Sequence, residues 1–207
     1  MAKFSLVKDP RVFEQTVKPP VLPRKRILGL DLGTNCGAVF CDILPGTPQQ
    51  DIVTIMDLWD LSIGTYDSTG LRYIRFWQFL SIVKPDVVMF EEVKFTGTNE
   101  VAQQSGGNVT AIIARVATSM EFLGALKASL CHWCELHHVA CHGLGIGEIK
   151  KFATGKGNSG KEAMIEACNT RFGTEFKTED YTSTGVDNIA DAAFAMMMGV
   201  ALYSEAK

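Results

Sequence analysis

With 207 residues, 46% of them hydrophobic, the chain can bury one good core but is short for two full domains, so a single domain with an N-terminal extension is expected. Twenty Lys and Arg against 23 Asp and Glu leave a formal charge of -3, which excludes an overall basic field and confines any phosphate-meeting surface to local clusters, at Pro23 to Arg26 and at Lys150 to Lys161. No run of about 18 apolar residues and no apolar secretory segment is read, so no membrane partner and an intracellular setting are expected, with the six cysteines as reduced thiols or metal ligands and not a disulfide framework.

Residues 1–24 carry Pro10, Pro19, Pro20 and Pro23 among scattered charges without a sustained period, which predicts an extended arm ahead of a folded domain over 25–207. "ILGLD", Ile27 to Asp31, predicts a short apolar strand. The turn "LGTNCG" and a second strand, "AVFCDIL", ending at Leu44 before Pro45, complete a hairpin. Asp51 to Trp59 supplies a third strand. Leu71 to Val83 then places Ile74, Trp77, Phe79, Leu80 and Val83 mostly on one helical face, and Pro85 stops that helix. "DVVMFEEV", Asp86 to Val93, is apolar enough for a strand covered on both faces and ends in two carboxylates.

Paired glycines among polar residues make Thr96 to Asn108 a loop. Thr110 to about His137 predicts one long helix or two abutting ones, with Ile112, Val116, Met120, Leu123, Leu126 and Leu130 as the buried stripe. "HVACHGL" returns as a fifth strand, followed by a short helix at Glu148 to Phe152, a glycine-rich turn, a helix from Lys161 to about Arg171, a polar connection and a last helix from about Asp187 to Tyr203. Three successive strands followed by helix, strand, helix, strand predict an α/β fold: a mixed five-stranded sheet, its first three strands antiparallel, flanked by helices.

Four acids stand out on this frame. Asp31 ends the first strand, Glu91 ends the fourth, and Asp187 and Asp191 sit at i and i+4 at the start of the last helix. Strand ends share one edge of an α/β sheet and i, i+4 residues share one helix face, so these carboxylates can line a single cleft. Such a cluster repels itself unless divalent cations neutralise it, and hard oxygen donors select Mg²⁺ or Mn²⁺. Two such ions about 4 Å apart support phosphodiester hydrolysis without a side-chain nucleophile. The plainer reading of the same residues makes Asp187 a helix N-cap, Asp31 a turn residue and Glu92 a solvated neighbour of Glu91.

"CHWCELHHVACH", Cys131 to His142, places Cys131, Cys134 and His138 on one helical face, where zinc has to be considered. Structural zinc sites draw ligand pairs from two elements, so buried thiols with partly exposed histidines are the expected arrangement.

Four blocks, "ILGLDLGT", "FEEV", "IKKFATGKGNSGKEAM" from Ile149 to Met164 and "DNIADAAFAM" from Asp187 to Met196, resemble in order the blocks of RuvC-type Holliday junction resolvases. The third is the most specific: it matches the family's Lys, Thr-Gly-x-Gly and Lys-Glu elements without a gap. The resemblance runs from about Ile27 to about Ala201 and implies a ribonuclease-H-like fold and a homodimeric endonuclease. Such an enzyme nicks four-way DNA junctions symmetrically in recombination and repair, with Mg²⁺ held by Asp31, Glu91, Asp191 and a fourth ligand. Where bacterial members carry Asp or His three residues before the last Asp, this chain has Asn188, with Asp187 one further back; the carboxylate is the better donor to a hard cation.

Lys150 and Lys161 match family lysines near the scissile phosphate, Lys150 with a catalytic role, and the resemblance implies that Lys151, Lys156 and the backbone of "TGKGNSG", between Lys150 and Lys161, meet the DNA backbone. The structural alternative is a solvated helix face. At the position of a junction-inserting aromatic this chain has Lys94, with Phe95 next to it. The setting implied is a bacterial cytoplasm, whether the source is bacterial or phage. Other readings are a less selective nuclease that debranches replicating DNA and a non-catalytic junction-binding protein. A further one rests on "GLDLGT", which also resembles the first phosphate motif of actin-like ATPases; that fold needs two such domains, so no nucleotide cofactor is expected.

Overall fold

The computed structural model describes residues 24–44, 52–92, 109–179 and 181–204, with the backbone alone at 109–115, 182 and 183. Residues 1–23 of the predicted arm, Lys94, Phe95 and the loop from Thr96 to Asn108 lie outside the described residues. β1 (Lys25–Asp31), β2 (Asn35–Ile43) and β3 (Thr54–Asp60) form an antiparallel meander, and β4 (Val87–Glu91) and β5 (Ala140–Leu144) extend it in parallel, giving the order β3-β2-β1-β4-β5. This is the mixed sheet expected from the order of elements.

The helices are α1 (Leu71–Val83), α2 (Val109–Leu136), α3 (Ile146–Thr154), α4 (Lys161–Phe172), the single turn α5 (Tyr181–Thr184) and α6 (Val186–Ser204). Leu28, Leu30, Val88 and Phe90 point to one side of the sheet and pack with Phe76, Leu80 and Val83 of α1 and Leu126, Leu130 and Trp133 of α2. Ile27, Val87 and Met89 point to the other side, against α6 and, beyond it, Ile149 of α3 and Ile165 of α4. The alternation of a pleated strand thus divides the core into two layers.

α6 is long and apolar enough to cross a membrane by composition, yet most of its surface is buried inside the fold. Its Phe194, Met196, Met197 and Val200 are covered by sheet and neighbouring helices, each such burial contributing about 1.5–3 kcal/mol. The helix lies unusually close to β1 and β2. A Cβ on Gly29 would stand 2.1 Å from the Ala192 carbonyl oxygen, and one on Gly37 would stand 2.1 Å from that of Asn188. An isolated glycine in the middle of an apolar strand marks such a backbone approach.

Several local expectations need correction. β2 begins at Asn35, inside the segment read as a turn, because Asp31 pairs with Gly37 and Asn35 with Asp60, so the ladder reaches nearly to the chain reversal. The buried face of α1 is Phe76, Leu80 and Val83, and Ile74 is exposed because it falls off that i, i+4, i+7 line. In α2 the buried stripe moves to its C-terminal half, Leu126, Leu130, Trp133 and Cys134; Val116, Met120 and Leu123 are only partly covered. α5 forms inside the segment read as a polar connection.

Candidate active site

β1 and β4 run parallel with Leu30 opposite Phe90, so the next residues, Asp31 and Glu91, emerge side by side at the same edge. Both follow the alternation of Ile27 and Gly29, or of Val87 and Met89, onto the side that α6 covers. The close approach at Gly29 and Gly37 seats the first turns of α6 over this edge, so that Asp187 and Asp191 bear on Asp31. Carboxylates from three elements are thus near enough for Glu91, Asp187 and Asp191 each to act on Asp31.

Asp187 is the only charged residue that is buried among those described. It lies in the first turn of α6, and its Oδ2 accepts a hydrogen bond from Lys161 Nζ at 2.5 Å. Asn188 turns elsewhere: its Nδ2 donates to the Asn35 carbonyl oxygen at 2.7 Å. Between the two candidates for the fourth acidic position, helix phase brings Asp187 to the other acids and gives Asn188 the work of tying α6 to β2.

Burial and then the charges of Glu91, Asp191 and Asp187 hold the Asp31 carboxyl well above the usual range, with Lys161 opposing. Burial raises Glu91, and the nearby Lys150 opposes it. Asp191 is pushed up to about 7 by burial and then by Glu91, against the pull of Lys150. Its Oδ1 is buried without a hydrogen-bond partner. A buried acceptor left alone is costly, and a divalent cation would satisfy it while cancelling the repulsion. The donor set and this orphaned oxygen fit a hard cation. The acids do not close on one point: among the described residues no three His, Cys, Asp or Glu side chains stand where they would already hold a metal.

The strain has a sign. A carboxyl whose pKa is raised on folding adds stability that is fully present below about pH 4 and is lost as pH rises through the folded value, here about 7 for Asp191. In chelator, the melting temperature is expected to fall between about pH 5 and pH 8, and Mg²⁺ is expected to restore it most at the upper end. Thermal denaturation of the chain and of Asp191→Asn tests this; a slope unchanged by the substitution would place its origin outside Asp191.

The basic residues approach from α3 and α4. Ile149 anchors α3 in the core, and its neighbour Lys150, partly buried, bears on Glu91 and Asp191. α3 ends at Gly155, whose backbone is left-handed at φ +80. The following turn is tied by Thr154 Oγ1, 2.6 Å from Ser159 Oγ and 2.8 Å from the Lys150 carbonyl oxygen, and by the Lys156 N–H donating to that same Thr154 oxygen at 3.2 Å. Lys151 and Lys156 are exposed, on α3 and on this turn. Glu92 is not merely solvated: it takes the ammonium of Lys127. Tyr181 was not singled out from the sequence, and its ring lies 4.9 Å from Lys161 Nζ.

The thiols group differently from the zinc trio considered above. Cys131 and Cys134 both meet Cys141 of β5. His138 follows α2 in a left-handed backbone conformation, φ 55. All six cysteines are free.

A mixed sheet of this order, with helices on both sides and acids at the end of the first strand, the fourth strand and the start of the last helix, defines a ribonuclease-H-like fold. Among solved structures, RuvC of Thermus thermophilus in complex with a Holliday junction substrate is similar with a TM-score of 0.60 at 13% identity, over 87% of this chain and 97% of that one. A second T. thermophilus RuvC structure gives 0.55 at 15% identity, over 86% and 95%. A fowlpox virus resolvase with substrate Holliday junction DNA gives 0.49 at 14%, over 86% and 98%. No family model and no curated protein matches the chain. The fold is thus the one seen in T. thermophilus RuvC.

Proposed function

We propose that this chain is a divalent-metal-dependent DNA endonuclease that recognises four-way junctions and nicks two strands symmetrically as a homodimer. The observation that carries the reading is the convergence of Asp31, Glu91, Asp187 and Asp191 at one sheet edge, with an orphaned oxygen on Asp191. The solved structures with this fold include a resolvase bound to junction DNA, which supports branched DNA as the substrate class.

Asp31, Glu91, Asp187 and Asp191 are the residues that would hold Mg²⁺, with Mn²⁺ able to substitute. Bound there, a pair of such ions supplies activation of a water nucleophile and stabilisation of the leaving oxygen. Lys150 and Lys161, at the rim of the acid pocket, meet the scissile phosphate and offset its charge. Lys151, Lys156 and the backbone of the Thr154 turn take neighbouring phosphates, a role suited to an exposed turn already fixed by its own hydrogen bonds. Two symmetric nicks require two such pockets related by a two-fold axis.

The test is a panel of synthetic four-way junction, fork, flap and linear duplex with Mg²⁺. Paired nicks in the junction with little cutting of duplex are expected. Equal cutting of all branched forms would identify a debranching nuclease, and tight junction binding with no cutting at any divalent-ion concentration would identify a binding protein.

A further inference from the structure

We infer that Lys161 is the resident counter-cation of the acid pocket, held over Asp187 by the ring of Tyr181, so that it competes with a divalent ion for Asp187. This rests on the metal-binding reading of the four acids.

The geometry is specific to this lysine. Its Nζ is 2.5 Å from Asp187 Oδ2 and 4.9 Å from the Tyr181 ring centroid, within the range at which an aromatic face attracts an ammonium. An ammonium has three donors and no acceptor, so it can bond one carboxylate while lying against a ring. The two partners differ in freedom: the Asp187 side chain is 9% exposed and that of Lys161 57%. The carboxylate is fixed, and the amine reaches it on a flexible stem from solvent.

A buried carboxylate without a partner is expensive, so the ion pair stabilises α6's first turn when no metal is bound. An ammonium and a divalent ion on one buried carboxylate repel each other, so the two compete for Asp187. Once displaced, the ammonium is at the rim of the pocket, where a phosphate oxygen is the next available anion. Lys150 bears on Glu91 and Asp191 across the same pocket and serves as the comparison.

The test is calorimetric titration of Mn²⁺ into the metal-free full chain, without DNA. Lys161→Met is expected to bind Mn²⁺ roughly threefold to tenfold more tightly than the unaltered chain, the range for losing one competing, partly exposed ion pair. Lys161→Arg should stay near the unaltered affinity. Lys150→Met should gain less, since it removes charge without vacating Asp187. Tyr181→Leu should tighten binding by a smaller factor, Tyr181→Phe should not, and Tyr181→Leu should add nothing once Lys161 is Met. Unchanged affinity in Lys161→Met, or an equal gain in Lys150→Met, would overturn the inference while leaving the metal site standing. Absence of Mn²⁺ binding by the unaltered chain would bring down the metal reading and the inference with it.

Discussion

Asp31→Asn is expected to lower the rate of junction cleavage on the order of a thousandfold while junction binding persists and the metal-free protein becomes more stable. The two effects share one cause. Asp31 is raised by burial and by three neighbouring carboxylates, so neutralising it relieves repulsion in the empty pocket. The same change removes a charged oxygen donor from the proposed ions, whose transition-state stabilisation is worth several kcal/mol, and about 4 kcal/mol corresponds to about a thousandfold in rate. Binding persists because phosphate contacts come from lysines on α3, α4 and the intervening turn. Single-turnover cleavage, a junction-binding isotherm and a melt in chelator give the three readouts. A variant that cuts at the unaltered rate, or one whose cleavage fails only because it has unfolded, contradicts the account.

The second large effect comes from a residue with no chemistry of its own. Gly29→Ala places a methyl 2.1 Å from a backbone oxygen and 2.4 Å from a backbone nitrogen of α6, neither of which can rotate away. The helix has to lift, at a cost of about 3 kcal/mol or more, which for a chain of this size lowers the melting temperature by about 6–12 °C. Lifting α6 also separates Asp187 and Asp191 from Asp31 and Glu91, so Mn²⁺ affinity is expected to fall in whatever fraction remains folded. Gly37→Ala should behave alike, since its Cβ would meet the Asn188 carbonyl oxygen at the same distance. Gly124→Ala, in α2 with nothing within 4 Å of the added carbon, is the control. A melting temperature unchanged by either β-strand substitution would show that the contact is looser than the structure has it.

The acids were legible because each sits where a periodic pattern stops. "ILGLD" and "DVVMFEE" are apolar runs that end in carboxylates, and Asp187 and Asp191 fall at i and i+4 ahead of an apolar helix. The sheet could then be assembled from strand order, and its sense of pairing followed. What was not legible depends on three-dimensional neighbours. "TNCG" looks like a turn by residue type, yet Asn35 to Gly37 pair with β1 and β3 and continue the ladder. Ile74 and Phe76 are equally apolar, and only the placement of α1 on the sheet decides which is buried.

Tyr181 lies in a helix of four residues, too short to show a period, and its relation to Lys161 is purely spatial. Asp187 and Asn188 differ by 100° of helix rotation, which the chain order alone does not orient. Gly29 did carry a readable signal, a lone glycine inside an apolar strand, and its meaning is a helix backbone seated directly above it.

The most direct test of the central claim, that these four carboxylates form a divalent-metal centre, is a crystal of the chain grown with Mn²⁺ and measured for anomalous scattering. Manganese peaks enclosed by oxygens of Asp31, Glu91, Asp187 and Asp191, with the Lys161 ammonium moved off Asp187, are the predicted result. A pocket without manganese at saturating concentration, its acids protonated or paired with lysines alone, would contradict it.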